Sequence, residues 1–121
     1  MKRFKHYVRV CQHVLDLHNL KIRVEKENLE SIGANAACTY DYEAGNLQIY
    51  INRDGVEKTF SCLDEDLAYL AWHEVFEGAF FGPITTLTEN VLSKNDSATL
   101  ENHAHSMINV FWKLLKDKVM A

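Results

Sequence analysis

The 121-residue chain has one proline, Pro83, and only five glycines. With 47% hydrophobic and 25% charged residues, it falls in the ordinary range of globular domains, which argues against global disorder. It also lacks a disulfide framework. Its three cysteines, Cys11, Cys38 and Cys62, are far apart, odd in number and never in a C-x-x-C pair. Such a set predicts reduced, mostly buried thiols and a cytoplasmic location. No apolar run is long enough to span a bilayer, so no membrane association is expected. The N-terminal MKRFKHYVR has neither a continuous apolar core nor a small-residue cleavage site, so it does not read as a secretory leader. Positive charge is not in excess: the formal net charge is −4. That balance, with no Gly-rich, Lys/Arg-rich or aromatic platform motif, argues against a nucleic-acid partner. The basic residues of MKRFKHYVR alternate with apolar ones and read as a solvated helix face. There is no internal repeat and no low-complexity segment. The length suits a single domain, residues 1–121, with a real hydrophobic core.

Periodicity supplies the elements. Phe4, Val8, Cys11 and Leu15 recur at helical spacing, so residues 3–18 read as a helix stopped near Asn19. In 20–26, Leu20, Ile22 and Val24 alternate with Lys21, Arg23 and Glu25, the pattern of a half-buried strand. Residues 37–42 and 46–52, joined through Glu43-Ala44-Gly45-Asn46, read as an antiparallel hairpin, and Gly55 marks a further turn. Ser61, three residues before Asp64, predicts a capped start for a helix over about 63–81, with Asp64, Glu65 and Asp66 at its positive end. Gly82-Pro83 predicts its stop, and residues 84–96 read as irregular. A last helix is expected from near Asp96 or Ser97 to about Lys118, its apolar stripe being Leu100, Met107, Ile108, Phe111, Leu114 and Leu115. The fold class is therefore α+β: an N-terminal helix, a small antiparallel sheet of about three strands, and a motif helix packed on a long C-terminal helix.

The motif lies in LAYLAWHEVFEGAFFGP, residues 67–83. Here His73, Glu74 and Glu77 sit within five residues of a mostly apolar helix. Residues four apart share a helix face, so His73 and Glu77 can aim at one point. Zinc peptidases use this geometry in H-E-x-x-H, where the first and fifth residues bind metal and the second takes a proton from water. In this chain the motif reads H-E-x-x-E, and a carboxylate also binds zinc. A His–Glu pair at this spacing also forms plain hydrogen bonds on helix surfaces. The flanking Trp72, Val75, Phe76, Phe80 and Phe81 favour partial burial, where such charges need a counter-charge that a divalent cation would supply. The segment ENHAHSMIN, 101–109, offers further ligands. The apolar stripe adjoins His105 more closely than His103, so His105 is expected to face inward and His103 water. Trp72 and Trp112 are expected in the core.

The pieces TYDYEAGNLQIYIN, WHEVFEGAF and HSMINVFWKLL, in this order over residues 36–115, resemble a group of short zincin-like proteins, many from bacteriophages and prophages. The resemblance implies that His73, Glu77 and His105 bind the metal and that Glu74 is the general base. It leaves Glu101 as an alternative ligand or a supporting partner. It also implies a metallopeptidase-like hydrolase acting on a peptide or protein; peptide substrates commonly add as strands, so an edge of the sheet is where one could pair. Zinc is the expected metal, and iron or manganese suits the same donors. Tyr69, one turn before His73, is a candidate to stabilise an oxyanion. The fifth motif residue departs from the usual His, and this keeps a second reading open: a non-catalytic phage-type interaction or inhibitor protein in which the helix is structural. A regulatory accessory role has no residue-level support, and the sequence carries no signature of an oligomeric state.

Overall fold

The computed structural model describes residues 2–41, 43–52 and 63–121. The architecture is α+β. An N-terminal helix α1 (Lys2–Val14) precedes strand β1 (Lys21–Glu27), a short 3-10 turn (Glu30–Ile32) and the hairpin β2 (Ala36–Asp41) and β3 (Asn46–Asn52). Helix α2 (Asp64–Phe76) then runs through a π-helical turn (Glu77–Phe81) into α3 (Gly82–Thr88), and α4 (Lys94–Met120) closes the chain. Among the described residues no helix is long and apolar enough to cross a membrane.

The sheet is mixed rather than antiparallel, with order β1-β3-β2. β2 and β3 pair antiparallel as expected, with Cys38 opposite Ile49, but β1 pairs parallel to β3. Composition explains the order. β3 is the most apolar strand, and its Leu47, Ile49 and Ile51 are buried, so it takes the centre. β1 carries Lys21, Arg23 and Glu25 and stays at an edge, where charged side chains are tolerated. At the hairpin turn the Asp41 carboxylate accepts from the N–H groups of Glu43 and Ala44, 3.1 and 3.2 Å away.

Helix boundaries differ from expectation in three places. α1 stops at Val14, not near Asn19: Asp16 adopts a left-handed φ of 55°, and the Gln12 amide donates to the carbonyls of Leu17 and Leu20. α2 begins without a side-chain cap, its acidic first turn meeting the helix dipole. Arg3 of α1 pairs with Asp64 there, and Lys116 of α4 pairs with Glu65. The expected Ser61 cap and Gly55 turn lie outside the described residues. Gly82-Pro83 does not end the helix, and of residues 84–96 only 89–93 are irregular. Gly82 is right-handed, with φ −54° and ψ −51°, and Pro83 opens α3, where its missing N–H costs nothing. The π turn makes this continuity feasible. Gly82 N–H bonds back to the Glu77 carbonyl, five residues away, and the widened turn accommodates a proline that would otherwise clash one turn back. α4 starts two residues earlier than expected, because Ser93 caps it by accepting from Asp96 N–H.

The core lies between the sheet and the helices. Phe4, Val8 and Cys11 of α1, the three apolar β3 residues, Ala71, Trp72 and Val75 of α2 and Ile108 of α4 are all buried. Trp112 is half-buried, while Met107 and Leu114 face outward at 41% and 69% exposure, so the α4 stripe is narrower than expected. The contact that orients α2 against α4 is polar. Trp72, fully buried, donates its indole N–H to the Ile108 carbonyl at 3.1 Å. Phe76 stacks on Phe111 one turn further along, with ring centroids 5.5 Å apart.

Two glycines let the π turn press against the sheet. A Cβ on Gly78 would come 2.2 Å from a Leu47 methyl, and a Cβ on Gly82 would come 2.7 Å from Tyr40 Cβ. Leu47 is itself buried and has little room to yield. Gly78→Ala and Gly82→Ala are each expected to cost about 1–3 kcal/mol. Thermal melts would check this. Wild-type stability in both variants would mean that the turn does not sit this close to the strands.

Candidate metal centre

The Trp72–Ile108 bond fixes the neighbours of both residues. His73 follows Trp72, and His105 precedes Ile108 by about one turn, so the two imidazoles meet across the α2–α4 seam with centroids 5.2 Å apart. The π turn begins at Glu77, whose carboxylate lies between them. His73 Nε2 is 3.0 Å from Glu77 Oε2, and His105 Nε2 is 3.5 Å from Oε1. One ligand atom from each of the three residues lies within 4.8 Å of the others. Four tetrahedral ligands at about 2.0–2.1 Å from zinc sit roughly 3.4 Å from one another, so the donor set fits the ion in spacing and in chemistry. All three side chains are partly exposed, His105 most at 41%, so its inward orientation is toward this cluster rather than the dry core.

Glu74 adjoins this cluster through Glu77, with one ligand atom from each of Cys38, Glu74 and Glu77 within 4.8 Å of the others. It is only 5% exposed, and its carboxylate faces the Cys38 thiol of β2. Burial pushes the Glu74 carboxyl up to about 7, opposed by the charge of His73 and reinforced by that of Glu77. Burial, with the charges of both glutamates, also raises the Cys38 thiol well above its usual range. Glu77 goes the other way: its hydrogen bond from His73, against some burial and aided by the charge of both imidazoles, lowers it. For His73, burial favours the neutral ring, but the bond to Glu77 and the two carboxylate charges outweigh it, and its pKa is raised.

These shifts set the pH dependence of the metal-free protein. A carboxyl raised in the fold contributes stability below its unfolded pKa and loses it as pH rises, for Glu74 between about 4.5 and 7. Glu77, being lowered, contributes above 4.5 and loses that as pH falls. His73, being raised, loses its contribution above 6.5. Stability is therefore expected to peak near pH 5 and to fall by about 3 kcal/mol toward pH 8. Glu74→Gln should flatten most of that fall. Melts of both proteins across this range would check it, and an unchanged slope in the variant would refute the assignment.

The remaining site residues separate. His103 is exposed, as expected. Glu101 stands on the wall of a cavity of about 550 Å³ rather than in the ligand cluster. That cavity runs from Glu77 and Gly78 along Thr39 and Tyr40 of β2. The Tyr69 hydroxyl donates to Asn109, and its ring packs edge-on against His73, so it braces the imidazole. Cys38 was not singled out by the motif, although its signal was present: the hairpin register sets it opposite inward-facing Ile49. Comparisons with protein families, curated proteins and solved structures find no match to this chain.

Proposed function

We propose that this chain is a small zinc-dependent, metallopeptidase-like hydrolase of the zincin-like type. One observation carries the reading: His73, Glu77 and His105, from two separate helices, bring ligand atoms within 4.8 Å of one another beside a cavity. These three residues would hold the ion. Bound zinc would act as a Lewis acid, acidifying water and polarising a carbonyl. Iron or manganese suits the same two-imidazole, one-carboxylate set. The rest falls to the chain. Glu77 stays ionised and holds both imidazoles in place through its two oxygens. Glu74, next to His73 and with a carboxyl that burial pushes up, is suited to take a proton from the attacking water and return it to the leaving amine. The cavity is large enough for several residues of a peptide. It is bordered by β2, an edge strand on which an extended substrate could add as a further strand. The free thiols of Cys11 and Cys38 support a reducing compartment such as the cytoplasm.

The test is digestion of a mixed peptide library by the zinc-loaded protein, read by mass spectrometry, with Glu74→Gln as control. Cleavage confined to the wild type is expected, and no cleavage at any sequence would contradict the proposal. The non-catalytic reading draws on one observation, the exposed Phe80, Ile84, Leu87 and Val91 at helical spacing, which would suit a partner surface. Under that reading the protein retains metal but cleaves nothing.

A further inference from the structure

We infer that Cys38, Glu74 and Glu77 form a second divalent-metal position beside the first, and that excess zinc filling it shuts hydrolysis off. The inference rests on the reading of His73, Glu77 and His105 as the primary site.

The geometry comes from two elements. Cys38 is brought in by β2, and Glu74 and Glu77 lie on consecutive turns of the motif helix. One ligand atom from each of the three again lies within 4.8 Å of the others. Thiolate and carboxylate together form a donor set that zinc accepts. Glu77 belongs to both groups, and a carboxylate with two oxygens can serve two ions at the separations seen in two-metal sites, about 3.5–4 Å.

A second observation points the same way. The Glu74 side chain is buried beyond nine-tenths and aimed at this cluster. A carboxylate offers about four acceptor positions. The Cys38 thiol, a weak donor at best, is the group that faces it in this cluster. A cation would engage lone pairs of both carboxylates and offset their charge. On binding, the Cys38 S–H bond breaks, the sulfur pair goes to the metal and the proton leaves to solvent.

The consequence for activity follows from Glu74's double duty. With one ion bound, its carboxylate is free to accept a proton. With the second ion bound, its lone pairs are engaged by metal and that capacity is lost. Hydrolysis would therefore run at low zinc and stop at high zinc.

The experiment uses the whole chain, stripped of metal and titrated with zinc against a chromophoric chelator, and separately with cobalt(II). Wild type is expected to take up two equivalents, the second at least tenfold more weakly. The second cobalt equivalent should bring in a thiolate-to-cobalt charge-transfer band in the near ultraviolet. Cys38→Ala should bind one equivalent, lack the band and lose the inhibition by excess zinc, measured as the ratio of its own rates at high and low zinc. His105→Ala should keep the band. Cobalt absorption of the wild type alone decides the point if Cys38→Ala does not fold. A single equivalent without the band, in wild type and Cys38→Ala alike, would overturn the second position and leave the primary one standing. Uptake of no metal by either protein would overturn both.

Discussion

Glu74→Gln is expected to keep one equivalent of zinc and to cut peptide hydrolysis by roughly 10²- to 10⁴-fold, the usual contribution of a general base. The amide has the same shape as the carboxyl, so packing around residue 74 is preserved, and the proposed ligands His73, Glu77 and His105 are left intact. What changes is proton affinity. A carboxyl whose pKa burial raises can both take and return a proton, whereas an amide does neither. The variant should also melt higher than wild type near pH 8, because it no longer buries a carboxylate that burial disfavours. Loss of activity together with gain of stability is a signature that a merely misfolded variant cannot give. Equal rates in both proteins would remove Glu74 from the chemistry.

His105→Ala is expected to lower zinc affinity by at least a hundredfold, since even groups that only support a ligand cost 10- to 100-fold when removed. The fold should be indifferent. His105 is 41% exposed on the long helix α4, and alanine is the best helix former. Zinc-induced thermal stabilisation, which follows from mass action on the folded state, should therefore collapse while the metal-free melting temperature stays put. Unchanged zinc affinity would show that the C-terminal helix supplies no ligand. His103→Ala, an exposed neighbour two residues away, is the matched control and should bind zinc as wild type does.

The sequence carried the local part of this site plainly. Four-residue spacing alone places His73 and Glu77 on one face, and the apolar stripe through Ile108 picks out His105 over His103. The hairpin was equally legible from its alternation and turn. The parts that escaped depend on contacts between distant segments. The parallel pairing of β1 follows from β3 outcompeting the charged strand for the centre of the sheet, a comparison between strands rather than a property of either. Gly82-Pro83 carries the usual signature of a helix stop. Yet its glycine serves close packing on Tyr40, and the π turn absorbs the proline, so the helical path continues. The Glu74–Cys38 contact joins a helix to a strand 36 residues earlier, and no spacing rule reaches that far.

The convergence of α2 and α4 on one cation is tested most directly by zinc K-edge X-ray absorption on protein loaded with a single equivalent. Two imidazole nitrogens and a carboxylate oxygen at about 2.0–2.1 Å are expected around the ion, with one imidazole fewer in His105→Ala. A shell dominated by sulfur, or one of water alone and unchanged by that substitution, would contradict the account.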